Sequence, residues 1–219
     1  MSMTEDEARY EAWMDELYAE HSKQAIQEFT AERLRSFYLQ NPLLATAPLN
    51  SLVESRTLLA AHPTAALVFA VSAIEVGLTN VLLKPIVYGL IHSESAAGLI
   101  TELTLGHKGL DRFRDLLLQI LLEHGGIDLN SFKRQGSTKT LWEEIGQVQK
   151  WRNTILHRAE SASNDEAMQA IEVASAILET LFPAVVTKLG FHLHDGMRIC
   201  DEWRCKYHEL LSLVERQKA

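Results

Sequence analysis

Apolar residues recur at steps of three and four along most of this chain, and no run alternates apolar and polar residues. The first spacing gathers apolar side chains on one face of an α-helix, whereas alternation would indicate a half-buried strand. No Asn-Gly or Asp-Gly pair stands between two apolar strands, so the usual hairpin signal is missing as well. The pattern therefore predicts an all-α protein, built as a compact helical bundle.

Several helix starts are marked by capping boxes, in which a hydroxyl residue and a glutamate three residues later each accept a hydrogen bond from the other's backbone N–H. Four pairs have this spacing: Thr4/Glu7, Ser51/Glu54, Thr140/Glu143 and Ser163/Glu166. Together with glycine and proline breaks, they predict helices over residues 4–38, 51–61, 64–91, 93–106, 110–123, 140–159, 163–188 and 195–216. The remaining residues 128–138 are predicted to form a basic loop.

These helices divide the chain into a core and two peripheral parts. Residues 43–190 are predicted to form the compact domain, and residues 1–42 an N-terminal helical extension. Residues 191–219 are predicted to form a C-terminal helix that packs on the same domain.

The most apolar stretch, residues 65–91, resembles a membrane span in length but not in composition. It contains Glu75, Asn80, Lys84 and Pro85, whereas a bilayer helix needs about 20 nearly unbroken apolar residues. We therefore expect a central helix that is buried nearly all round and bent at Pro85, with no membrane contact.

Charge is distributed unevenly along the chain. The net charge of −8 argues against tight, non-specific binding of nucleic acid, which needs a basic surface. The first twenty residues are strongly acidic, but residues 133–158 are basic, and an anionic ligand should prefer that second region. The acidic N-terminus differs from a secretory signal, and Cys200 and Cys205 are the only cysteines. These features predict a soluble protein of the reducing cytoplasm.

One arginine stands out on the helix predicted from residue 140. Leu141, Ile145, Val148 and Ile155 form an apolar stripe, and Arg152 falls in the middle of it. Burying an unpaired guanidinium costs several kcal/mol or more. Either Arg152 pairs with a buried carboxylate such as Glu75, or the stripe opens onto a cleft where Arg152 meets an anion.

His157 lies about 140° round the helix from Arg152, whereas Asn153 and His157 are four residues apart and share a face. One straight helix therefore does not stack Arg152 under His157. The arginine side chain has to curl round, the helix has to distort, or a second copy of the chain has to complete the site.

The segment Gln149-Lys150-Trp151-Arg152-Asn153-Thr154-Ile155-Leu156-His157 resembles the signature of the HEPN superfamily. That signature is an arginine, often followed by a polar residue, and a histidine after four to six intervening residues, late in a helical domain. The apolar helix around Ser72-Ala73-Ile74-Glu75 is similar to the family's context, and the resemblance covers about residues 45–190. Arg158 and Ala159 depart from it, because the family usually has small or glycine residues there.

The resemblance implies a HEPN-like, metal-independent endoribonuclease, commonly a homodimer, of a bacterial toxin–antitoxin or antiviral defence system. Arg152 and His157 would be catalytic, with Asn153 assisting, and an antitoxin or regulatory protein would be a further partner. Histidine moves protons near neutral pH, and a forked guanidinium stabilises charge on a phosphate. RNA would also be bound by four basic residues: Lys133, Arg134, Lys150 and Arg158. No cofactor is expected.

Two other functions fit the same residues. A non-catalytic HEPN-like module would bind a partner protein or a nucleotide, which suits the net acidity and the acidic first helix. A purely structural bundle would contain Arg152 and Glu75 as a buried pair. Trp142 and Trp151 would either stack on bases or, more commonly, pack between helices.

The C-terminal region carries metal-ligand residue types: His192, His194, Cys200, Cys205 and His208. As a set they do not follow the spacing of a standard zinc module. A structural zinc is therefore the less favoured alternative for them, and ordinary residues on the face of the helix predicted there are the favoured one, so no metal is expected.

Overall fold

The computed structural model describes residues 4–91, 96, 99, 115, 118, 121–122, 126–194, 196–202 and 205. Its continuously described elements are five helices and one antiparallel hairpin, and residues 96, 99, 115, 118 and 121–122 are helical as well. The continuous elements are α1 (Glu5–Gln40), α2 (Thr46–Leu58), α3 (Pro63–Leu90), α4 (Leu141–Arg158), α5 (Asn164–Lys188), β1 (His192–His194) and β2 (Arg198–Cys200). The prediction of a mostly helical, all-α protein is confirmed.

Three of the four predicted capping boxes are present, at Thr4, Thr140 and Ser163. The fourth prediction was wrong, because α2 already begins at Thr46 and Ser51 lies inside it. The Ser51 hydroxyl donates instead to the Ala47 carbonyl, at 3.3 Å. Pro48 falls in the first turn of α2, where a missing N–H costs nothing, so the sequence allows this earlier start.

The core is built around α3 and α5, whose central turns are packed with small and branched apolar residues such as Ala70, Ile74, Ile177 and Phe182. Both helices are long and apolar enough to span a membrane, which by itself is weak evidence. In each, 61% of the most apolar window is buried inside the fold, a distribution also typical of core helices.

Both core helices widen into π-helix just before a proline. In α3 the π segment is Gly77–Leu83, ahead of Pro85, and in α5 it is Ala176–Leu181, ahead of Pro183. A proline ring strikes the carbonyl four residues back in an α-helix, and a wider turn relieves that clash. The predicted disturbance at Pro85 therefore takes the form of a π segment.

Tyr38 on α1 completes this arrangement from outside α3. The carbonyl of Val81 would bond to residue 85 in an α-helix, but Pro85 has no N–H. The fully buried Tyr38 hydroxyl donates to that carbonyl at 2.8 Å. The last turns of α1 are therefore integral to the core, whereas its first half is exposed.

The hairpin replaces the start of the helix that was predicted from residue 195. In its register His192 pairs with Cys200 and His194 with Arg198, and Gly196 has a φ of 71° in the turn. The helix prediction was wrong over the described residues 196–200, because Gly196 adopts the left-handed conformation of a turn and Arg198–Cys200 then pairs as a strand. The rest of that prediction, and almost all of residues 93–106 and 110–123, lies outside the described residues.

Candidate functional site

The Arg152–His157 segment occupies the last two turns of α4. The helix is fixed at its start by the Thr140 cap and along its length by buried Leu141, Ile145 and Val148. It ends at Ala159, whose φ of 55° lies in the left-handed region. Beyond that turn the chain is tied to α3, since the Ala162 N–H donates to the Thr64 hydroxyl at 3.0 Å. The end of α4 is thus held against the start of α3.

Arg152 pairs with Glu75, as one of the sequence interpretations anticipated, but the pair is not buried. Nη2 of Arg152 lies 3.4 Å from Oε2 of Glu75, and the two side chains are 34% and 35% exposed. Nη1 also donates to Oδ1 of Asn153, at 3.1 Å. These two contacts fix a guanidinium at the open edge between α3 and α4, where solvent still reaches it.

Asn153 and His157 lie on the exposed side of α4. Within the part of the chain that the structure describes, no hydrogen bond or ion pair holds the His157 imidazole. The fold therefore brings Arg152, Asn153 and Glu75 together and leaves His157 pointing to solvent, separate from them. A solvent-facing imidazole is accessible to a ligand or to a second chain.

The predicted RNA-binding residues fall into two groups. Lys133, Lys150 and Arg158 are exposed, so they are available to an anionic ligand. Arg134 is instead engaged by two carboxylates: its Nε lies 3.0 and 2.9 Å from the oxygens of Glu144, and Nη1 lies 2.7 Å from Glu172. Arg134 thereby anchors the basic loop to α4 and α5, which leaves Lys133 as the loop's more available cation.

Glu144, only 1% exposed, escaped the sequence analysis. It lies three residues after Leu141 and four before Val148, hence on the same apolar stripe as Arg152. Its carboxylate also accepts a hydrogen bond from the Ser137 hydroxyl at 2.9 Å. The Arg134–Glu144 pair had a sequence signal. Glu144 is a carboxylate on an apolar stripe, and a loop containing an arginine lies close to it in sequence.

Both tryptophans contribute to the packing of the core. Trp142 is buried in the core, and the half-buried side chain of Trp151 packs against the core cluster. Trp151 also borders a shallow hollow at the end of α4, together with Thr154, Ile155 and Glu160. Of the two, only Trp151 lies where a base could approach it.

Gly146 is a second feature that the sequence analysis overlooked. It stands seven residues before Asn153 and eleven before His157, so all three share one face of α4. A Cβ at Gly146 would meet nothing within 4 Å, although an interior helical glycine costs about 1 kcal/mol relative to alanine. The folded monomer gives no packing reason for this glycine among the described residues.

Comparison with known proteins found no relative of this chain. No family model, no curated protein and no solved structure matches the chain. Function is therefore inferred from the chain's own residues and their geometry.

Proposed function

We propose that this protein is a metal-independent, HEPN-like endoribonuclease whose catalytic residues are Arg152 and His157. The observation that carries the proposal is the partly exposed guanidinium of Arg152, oriented by Glu75 and Asn153 on the helix end that also exposes His157. A structural ion pair alone would not require an exposed asparagine and histidine beside it. The end of α4 thus carries a fixed cation and, on another side of the helix, an exposed proton-transfer group.

The chemistry follows from these two groups. The RNA 2′-hydroxyl attacks the adjacent phosphorus while His157 accepts its proton, and the bond to the 5′-oxygen breaks. Arg152 stabilises the charge that develops on the non-bridging oxygens. One product carries a 2′,3′-cyclic phosphate, and the 5′-oxygen of the other takes up a proton. Asn153 holds the guanidinium and is placed to contact a ribose or phosphate oxygen.

The active unit is proposed to be a homodimer. His157 lies far round the helix from Arg152, and the face that carries Gly146, Asn153 and His157 is open. A two-fold axis at this face would place two copies of the motif along one groove, and Gly146 would permit a close approach of the helices. In this arrangement the histidine of one chain complements the arginine of the other.

We place this enzyme in the cytoplasm, as a toxin or antiviral effector controlled by an antitoxin or other regulatory protein. The two free cysteines suit a reducing compartment. Unrestrained cleavage of cellular RNA would be harmful to its own cell, which makes such control necessary.

Incubation with total RNA in EDTA tests the proposal. Wild type should cleave, and Arg152→Ala and His157→Ala should each lose at least about a hundredfold in rate. Arg152→Lys should stay impaired because lysine cannot present a planar fork. His62→Ala removes another exposed histidine and should cleave normally. Absence of cleavage by wild type, or equal cleavage by wild type and all variants, contradicts the proposal.

A non-catalytic binding module is the second candidate function, and the first half of α1 favours it. This half is acidic and exposes Tyr10, Trp13 and Tyr18, at 61%, 55% and 67% of their surfaces. Exposed aromatics are common anchors of protein interfaces. If wild type never cleaves RNA, but a triple alanine variant at these positions loses a co-purifying partner, the binding function replaces the enzymatic one.

A further inference from the structure

The hairpin brings four metal-ligating side chains into one cluster. His192 and Cys200 are directly paired across the two strands. Because side chains alternate along a strand, His194 projects on the same side as His192. The ligand atoms of these three residues and of Cys205 all lie within 4.8 Å of one another.

Cys205 reaches the cluster by folding back after β2. Its backbone N–H donates to the Glu202 carbonyl at 3.0 Å, and its Sγ lies 2.6 Å from Nε2 of His194. The Glu202 N–H in turn points at Sγ of Cys200, at 3.4 Å. Backbone N–H groups directed at cysteine sulfur are an outer-shell contact that suits a metal-bound thiolate.

We propose that His192, His194, Cys200 and Cys205 bind one structural Zn²⁺ ion. Two imidazoles and two thiolates in a tetrahedral arrangement are typical of zinc, and four protein ligands leave no open position for catalysis. Zinc bonds of about 2.3 Å to sulfur and about 2.0–2.1 Å to nitrogen place tetrahedral ligand atoms roughly 3.3–3.8 Å apart. Here the four ligand atoms lie within 4.8 Å of one another, and Cys205 Sγ is 2.6 Å from His194 Nε2, so side-chain shifts of about 1 Å bring them to those separations. Four residues separate Cys200 from Cys205, within the range usual for paired zinc cysteines.

The metal has a physical task in this part of the fold. Each strand has only three residues, and an isolated two-stranded hairpin is at best marginally stable in water. The hairpin is joined to the end of α1 by a hydrogen bond from the Ile199 N–H to the Pro42 carbonyl, at 2.9 Å. A bound Zn²⁺ would lock both strands and the following turn into one unit on that surface.

The inference is tested on the full chain, purified with a reductant and without chelator. Elemental analysis should find one zinc per chain. Cobalt substituted for zinc should give the visible absorption of tetrahedral Co²⁺ and a thiolate charge-transfer band. Cys200→Ser and Cys205→Ser should each bind less than a tenth of the wild-type metal. His62→Ala is the matched control and should keep full occupancy.

Stability provides a second readout, which works even if one cysteine variant folds poorly. Chelator should lower the melting temperature of wild type, and zinc should restore it, whereas His194→Asn should respond to neither. Arg152→Ala should retain its zinc, so the zinc proposal stands or fails whatever the cleavage assay shows. The cleavage assay in EDTA is run at a temperature at which the chelator-treated protein stays folded. A wild-type chain that takes up neither Zn²⁺ nor Co²⁺ when reduced, or cysteine variants with full occupancy, overturns the inference.

Discussion

At the scale of single residues, Glu75 determines the position of the Arg152 guanidinium. The carboxylate holds the guanidinium at 3.4 Å, so under the proposed function Glu75 positions Arg152. Such a contact is expected to influence the rate more than the stability. The pair is about one-third exposed, and ion pairs of that kind contribute about 0–1 kcal/mol.

Glu75→Gln should therefore lower kcat for RNA cleavage about tenfold while changing the free energy of unfolding by less than about 1 kcal/mol. Glu179→Gln is the matched control, because it breaks a comparable surface pair with Arg56, at 2.6 Å, on another part of the molecule. Steady-state kinetics and urea unfolding measure both effects. Equal loss of kcat in the two variants would show that Glu75 has no positioning role.

Ala159 carries backbone strain at the end of α4. Its φ of 55° costs a residue with a Cβ about 1 kcal/mol, whereas glycine adopts this conformation freely. Ala159→Gly should raise the free energy of unfolding by about 0.5–1 kcal/mol. Ala25→Gly, inside α1, should lower it by a similar amount. Destabilisation by both substitutions would contradict the assigned backbone conformation.

At the scale of elements, the contact between α1 and α3 depends on the Tyr38 hydroxyl. Tyr38→Phe leaves the Val81 carbonyl buried without that donor and should cost about 1–3 kcal/mol. Tyr18→Phe, at an exposed position of the same helix, should be neutral. Denaturant unfolding of wild type, Tyr38→Phe and Tyr18→Phe measures the free energies of unfolding. Equal losses in the two variants would show a general effect of removing a tyrosine hydroxyl instead of a specific loss at Val81.

The same tyrosine predicts a pH dependence. Burial raises the pKa of Tyr38 well above its ordinary value, so the folded protein holds the phenolic proton more tightly than the unfolded chain. This contribution is complete below the unfolded pKa of about 10 and is lost as the pH rises above it. Between pH 9 and about 11, wild type should lose more stability than Tyr38→Phe does. Parallel losses would show that another group is responsible.

Gly146 lies on the face of α4 that is proposed to form the dimer interface. Gly146→Ala should stabilise the monomer by about 0.5–1 kcal/mol, because its Cβ meets open space and alanine favours helix. If two α4 helices meet at this face, the same change should weaken dimerisation and RNA cleavage. Thermal unfolding and analytical ultracentrifugation measure the two effects. A variant that is more stable, equally dimeric and fully active would remove Gly146 from the interface.

How far the sequence predicts each element depends on how local its determinants are. The starts of α1, α4 and α5 were predictable, because each cap and its glutamate lie within four residues. The hairpin was not, since each strand alternates polar and apolar residues over only three positions, His-Leu-His and Arg-Ile-Cys, which is too short to indicate a strand. The histidine and cysteine side chains suit a metal cluster, and the Asp195-Gly196 pair in the sequence was the one local sign of a hairpin.

For the candidate site, the sequence identified the residues but not their partners. The pairing of Arg152 with Glu75 was among the interpretations, yet its exposure depends on how α3 and α4 cross. The Glu144–Arg134 pair was missed because it joins a helix to a loop through tertiary packing. Within one helix the side chains of His157 and Arg152 do not converge, since about 140° of rotation separates them.

At the scale of the whole molecule, the acidic and basic parts of the chain would have separate tasks under the proposed function. The net charge of −8 disfavours general attraction to nucleic acid. Under the proposed function, RNA would be captured locally by exposed Lys150 and Arg158 on the last turns of α4 and by exposed Lys133 on the loop before its first turn. The exposed acidic half of α1 is in turn suited to a basic partner surface. This separation is what a ribonuclease under the control of a second protein would need.

The central claim is that Arg152 and His157 cleave RNA without a metal. The most direct measurement is cleavage of one end-labelled RNA oligonucleotide in EDTA, by wild type and His157→Ala at equal folded concentration. Wild type should yield fragments ending in a 2′,3′-cyclic phosphate, and the variant should yield almost none. Fragments with other ends, or equal fragment yields from both proteins, would contradict the claim.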